Sequence, residues 1–133
     1  MDKDVENIFD ESIRLEMNVS KVYMKFYKLF SDDKKFWWDM FLKERNHASL
    51  LQSAKDIFKP ANMFPDDLLI NSLKIIIHEN NTLEKMLEDF EENPPSREEA
   101  FNIAFKIEIS IGEAHYQAFM EKKSISFKDK VFS

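Results

Sequence analysis

The chain has 133 residues, 44% hydrophobic and 33% charged, which fits one domain with a packed core and leaves no room for a second catalytic domain. A net charge of -6 with dispersed basic residues argues against unspecific nucleic-acid binding, which needs a basic surface to neutralise phosphates. With one Gly and four Pro, turn formers are too scarce for a barrel or sandwich of short strands, whereas thirteen Phe and seven Met suit long packed helices.

The N-terminus, Met1-Asp2-Lys3-Asp4-Val5-Glu6, is acidic and no long apolar run follows it. Neither a secretory signal nor a transmembrane helix is expected, and the cytoplasm is the expected location. A first helix is predicted from about Val5 to Phe30, carrying the stripe Phe9, Ile13, Glu16, Val19, Tyr23, Phe26 and Phe30 at three- and four-residue steps. Ser31-Asp32-Asp33 ends it and caps a second helix over roughly Lys34 to Phe58. The stripe there is Trp37, Met40, Phe41, Glu44, His47, Ala48, Leu51 and Ala54, and Lys59-Pro60-Ala61-Asn62 breaks it. Trp37 and Trp38 are adjacent, so one ring is expected in the core and the other at an edge or dimer contact.

Pro65 suits the first turn of a third helix, with Asp66 and Asp67 at the positive end of its dipole. Leu69, Leu73, Ile76, Asn80, Leu83, Leu87 and Phe90 then alternate steps of four and three, the period of a bundle seam. Glu92-Asn93-Pro94-Pro95 stops that helix. Ser96 and Glu99 form a capping box that opens a fourth helix reaching about Lys122, with Phe101, Ala104, Phe105, Glu108, Ile111, His115 and Phe119 inward. The tail, residues 124–133, has no clear period. Four amphipathic helices with short connections predict an all-α four-helix bundle over residues 1–123.

The buried stripes are interrupted by acids and imidazoles at similar depth: Glu16 in the first helix, Glu44 and His47 in the second, Glu108 and His115 in the fourth. Singly, each has a bland explanation, a carboxylate at a stripe's edge that snorkels to water or a hydrogen-bonded core histidine. Together, at one depth in three helices, they call for positive charge, because an unpaired buried carboxylate costs several kcal/mol. Lys and Arg are nearly absent from the stripes, so the expected source is one or two bound cations. The chain has no Cys, which excludes iron–sulfur and thiolate sites and leaves carboxylate and imidazole as ligands. Glu44 and His47, three apart and about 60° round the axis, can reach one ion. Glu108 and His115 lie about 10.5 Å apart along theirs, which suits two ions, or a ligand and a supporting residue.

Glu16-x6-Tyr23, Phe41-Leu42-Lys43-Glu44-Arg45-Asn46-His47-Ala48 and, more weakly, Ala100 to Glu108 with His115-Tyr116-Gln117 resemble the ferritin-like superfamily. Within it the likeness is to the rubrerythrin-type diiron carboxylate proteins. There one Glu comes from each of two helices and a Glu-x-x-His from each of the other two. The resemblance implies a ferritin-like bundle with Glu16, a bridging Glu44 and a terminal His47 as iron ligands, Tyr23 beside them, and peroxide reduction, ferrous iron oxidation or simple iron binding as the activity. The second half departs from the pattern. Ile111 stands three residues after Glu108, His115 lies one turn further on, and Asn80 occupies the third helix where a Glu is expected. Glu84, about 40° round from Asn80, is the better placed carboxylate to complete the site, and Glu79, about 100° away, the poorer.

The connection from Lys59 to Pro65 spans at most about 25 Å, against a helix of over 30 Å. Helix ends that unwind into a crossover, an up-down-up-down bundle, or helices exchanged between subunits are the alternatives. Without Cys there is no built-in electron relay, so an external electron donor is the implied partner, and a homodimer is the expected assembly. The rival expectation is a non-catalytic helical module that keeps the bundle and binds a partner.

Overall fold

The computed structural model describes the backbone of residues 3–58 and 66–110 and, within them, the side chains of residues 6–53, 55–56 and 73–110. Among the described residues there are four α-helices and no strand: α1 Lys3–Leu29, α2 Lys34–Phe58, α3 Asp66–Glu92 and α4 Arg97–Glu108. The all-α class and the first three helices follow the expected spans closely. No described helix is long and apolar enough to cross a membrane.

The α1 stripe turns inward as its spacing requires, with Phe9, Glu16, Val19, Tyr23 and Phe26 buried, and Leu15 and Val22 broaden the buried face. Trp37 of α2 is fully buried at the centre of the aromatic core. It meets Phe26 edge-on at 4.8 Å and lies 5.9 Å from Tyr23 and 5.0 Å from Phe101 between ring centroids. Trp38 is 41% exposed and rests against Tyr27 and Phe41, so the adjacent tryptophans divide between core and edge.

Helix directions follow from which residues meet. Lys55 reaches Asp10 while Trp38 meets Tyr27, so α2 runs antiparallel to α1. Along α3, Asn80 bonds to Glu11 and Phe90 packs on Phe26, so α3 runs parallel to α1. Arg97 binds Asp33 at the start of α4 and Glu108 binds Lys43 at its end, so α4 runs parallel to α2. The bundle is therefore up-down-up-down, the second of the three alternatives the short connection allows. The end of α2 and the start of α3 lie at one end of the bundle, so no crossover is needed. The connection itself, residues 59–65, lies outside the described residues.

A 3₁₀ turn over Ser31–Asp33 joins α1 to α2, and the Asp33 amide donates to the Phe30 carbonyl at 3.1 Å. The Asp33 carboxylate accepts two bonds from the Arg97 guanidinium, at 2.7 and 3.0 Å, which holds its carboxyl below the usual carboxylate range. The capping box at the start of α4 is present: the Glu99 amide donates to Ser96 Oγ at 3.1 Å and the Ser96 amide to Glu99 Oε1.

Helix α4 departs from expectation in two ways. Its inner face is Ala100, Ala104 and Ile107, which leaves Phe105, about 100° round from Ala104, 65% exposed instead of buried. The described helix also ends at Glu108, not near Lys122. The Ile109 amide still bonds to Phe105, but the Ser110 amide closes a tighter turn onto the Ile107 carbonyl at 3.1 Å. β-Branched Ile109 and the hydroxyl of Ser110 are both unfavourable helix formers at this point. Ile111, His115, Phe119 and the tail lie outside the described residues.

Candidate metal centre

Glu16 on α1 and Glu44 and His47 on α2 converge where the two antiparallel helices face one another. His47 Nδ1 lies 3.5 Å from Glu16 Oε2 and 3.4 Å from Glu44 Oε2. One ligand atom from each of the three lies within 4.8 Å of the others. Both carboxylates are buried, at 1% and 0% exposure, while the His47 side chain keeps 15% of its surface open to solvent. The helical period produces this arrangement. Three residues along α2 place Glu44 and His47 on one flank, and the antiparallel register of α1 brings Glu16 opposite.

Neither Glu44 oxygen accepts a hydrogen bond, although both are buried. Burial pushes the Glu44 carboxyl up to about 8, against the pull of the His47 imidazole, and close contact with the Glu16 carboxyl, then the charges of Glu16 and Glu108, add to the rise. A cation would remove that tension directly, since His47 Nδ1 at 3.4 Å is the nearest donor and makes no well-formed hydrogen bond to the carboxylate. Two carboxylates and one imidazole at this spacing are a donor set suited to a divalent transition ion such as Fe(II), Mn(II) or Zn(II), with positions left open for water.

The remaining expected ligands are placed differently. Glu108 sits half-buried at the end of α4, where Oε1 accepts from the Tyr23 hydroxyl at 2.9 Å and Oε2 from Lys43 Nζ at 2.9 Å. It is close enough to raise Glu44 through its charge, yet it is engaged by a lysine and a tyrosine. Glu84, the third-helix carboxylate expected to reach inward, turns toward α1 instead. Arg14 grips it from Nη2 at 2.6 Å and Nε at 2.8 Å, and Asn18 donates to it at 3.1 Å. Arg14 holds the Glu84 carboxyl below the ordinary range, with Asn18 adding to the effect. Glu79 lies half-buried on the α4 side and accepts from Ser110 Oγ at 3.4 Å. His115 is outside the described residues.

Asn80, the polar break in the third stripe, is fully buried. Its Oδ1 accepts from Asn18 at 3.0 Å, and its Nδ2 donates to the Glu11 carbonyl at 3.0 Å and to Glu11 Oε2 at 2.9 Å. The α1–α3 contact thus carries a continuous polar network of Glu11, Arg14, Asn18, Asn80 and Glu84. Asn18 was not legible as part of the interior, nor Arg14 and Lys43 as partners of carboxylates at its edge. Asn18 lies on a flank of α1 beside its stripe, and the two basic residues reach in over apolar surface from partly exposed positions. Comparisons with protein-family models, curated proteins and solved structures gave no match to this chain.

Proposed function

We propose that this protein is a metal-binding helical bundle of rubrerythrin type, in which Glu16, Glu44 and His47 hold a divalent transition ion, with iron the first choice. The single observation that carries the proposal is the meeting of these donors within 4.8 Å, two of them carboxylates inside the bundle. The Glu44 oxygens, buried without a hydrogen-bond donor, add the electrostatic reason for a cation. The likeness to ferritin-like proteins rests on the ligand pattern of α1 and α2, whereas the up-down-up-down connectivity differs from a bundle with a long crossover.

When bound, iron supplies one-electron redox chemistry with dioxygen or peroxide, and ferrous iron oxidation and peroxide reduction are the two activities proposed. The chain's own contribution is positional. The α1–α2 packing fixes two oxygens and one nitrogen, the partly open edge of His47 admits solvent and small oxidants, and the Tyr23 hydroxyl is anchored on Glu108 beside the centre. In the absence of Cys, reducing equivalents come from an external donor.

Anaerobic titration with Fe(II), followed by metal analysis after desalting, tests the proposal. Wild type is expected to retain iron and Glu44→Ala to lose it. Protein that retains no iron and whose melting temperature ignores Fe(II) would instead favour a non-catalytic helical module, because a ligand specific to the native state must raise its stability.

A further inference from the structure

Two ions in one bundle need more carboxylates than the three-donor cluster supplies. In the diiron pattern a glutamate from each of two further helices, or a second Glu-x-x-His, completes the pair of centres. Here the candidate carboxylates of α3 and α4 are engaged within the chain, Glu84 and Glu108 by basic side chains and Glu79 by the Ser110 hydroxyl. Glu84 lies in a two-point grip from Arg14, which a planar guanidinium makes with high geometric specificity. Glu108 has one oxygen on Lys43 and the other on Tyr23. At the middle of α3 the chain carries a neutral amide, Asn80, and its oxygen and nitrogen are both engaged by Asn18 and Glu11.

We infer that the centre takes a single divalent cation per chain, bound by Glu16, Glu44 and His47. Among the described residues Glu108 is the further carboxylate whose charge reaches Glu44, and Lys43 occupies it as a built-in cation, while Arg14 holds Glu84 on the α1–α3 side. This inference rests on the metal-binding proposal above and narrows it to one ion and one donor set. The charges agree with it: two ionised carboxylates and a neutral imidazole balance one divalent ion. The Lys43 ammonium and the Arg14 guanidinium then neutralise Glu108 and Glu84 without metal. Glu44, fully buried with neither oxygen hydrogen-bonded, is the side chain that points to a ligand at this centre. Asn80 separates α3 from the chemistry, since its hydrogen bonds serve the α1–α3 contact.

The number of ions is read on the full chain with Mn(II), by equilibrium dialysis and by electron paramagnetic resonance of the loaded protein. The expected result is one Mn(II) per chain with the hyperfine pattern of an isolated ion. Glu108→Gln, which can still bond to Tyr23, is expected to leave that stoichiometry at one, and Glu44→Gln to abolish binding. Circular dichroism of each variant confirms that it is folded. Two Mn(II) per chain with an exchange-coupled spectrum would overturn the single-ion assignment while leaving the metal-binding proposal standing. Loss of the ion in folded Glu108→Gln would overturn the donor set in the same way. Wild type that binds no Mn(II), Fe(II) or Zn(II) would remove both.

Discussion

Glu44 is the residue at which folding and the proposed ion binding are most directly opposed. In the ion-free protein its carboxyl, raised by burial to about 8, stays protonated at pH values where the unfolded chain, near the ordinary 4.5, has already ionised. The raised native value makes its contribution to stability fully present below about pH 4.5, lost progressively as pH rises toward 8, and level above that. Ion-free wild type is therefore expected to lose stability in urea as pH is raised from 5 to 8. Glu44→Gln, which cannot ionise there, should show a much flatter profile, and an unchanged slope in that variant would reject the assignment. The proposed ion binding has the opposite dependence, because the carboxyl must shed its proton to bind, so affinity should climb over the same interval. The three clustered donors were legible because acids and imidazoles interrupt several apolar stripes at one depth, a coincidence that the bland explanation of each residue alone does not cover. Lys43 and Arg14 were not legible, since a long basic side chain beside a stripe looks like any solvated position until its partner is located.

At the scale of single elements, hydrogen bonds at helix ends and between helices fix where each rod stops and how it sits against its neighbours. Ser96→Ala removes half of the capping box and should cost about 1 kcal/mol, measured by chemical denaturation. Asn80→Ala is expected to cost more, roughly 1–3 kcal/mol, because it removes three hydrogen bonds at a buried position and leaves the Asn18 amide with Glu84 as its remaining partner. Restoration of most of that loss by a second change, Asn18→Leu, would support the network, whereas simple additivity would count against it. The capping box could be read from four consecutive residues because both of its bonds are local. The Asn18–Asn80 pair could not, since only the parallel packing of α1 and α3 brings those amides together. The early end of α4 was missed for a related reason: apolar spacing continues past Glu108, while Ile109 and Ser110 form a tightened turn.

Across the molecule, the aromatic core supplies the packing that holds the carboxylates inside. Trp37, which touches Tyr23, Phe26 and Phe101, is its hub, and Trp37→Ala should cost about 3–5 kcal/mol. An ion specific to the native state opposes unfolding by about 2.7 kcal/mol at about a hundredfold excess over its dissociation constant. Saturating Mn(II) is accordingly expected to raise the melting temperature of wild type and to leave that of His47→Ala nearly unchanged. The all-α class and most helix limits were present in the apolar periods and breakers. The direction of α3 was not, because a short connection restricts the route between rods without choosing among the routes that remain.

All three donors belong to one antiparallel helical hairpin, α1 and α2, joined by the short turn at Ser31–Asp33. Their contacts need only local chain closure, the kind that forms early and with little entropic cost. Under the metal-binding proposal the donor set is complete once this hairpin has formed, so the ion would act as a staple on the first half of the polypeptide alone.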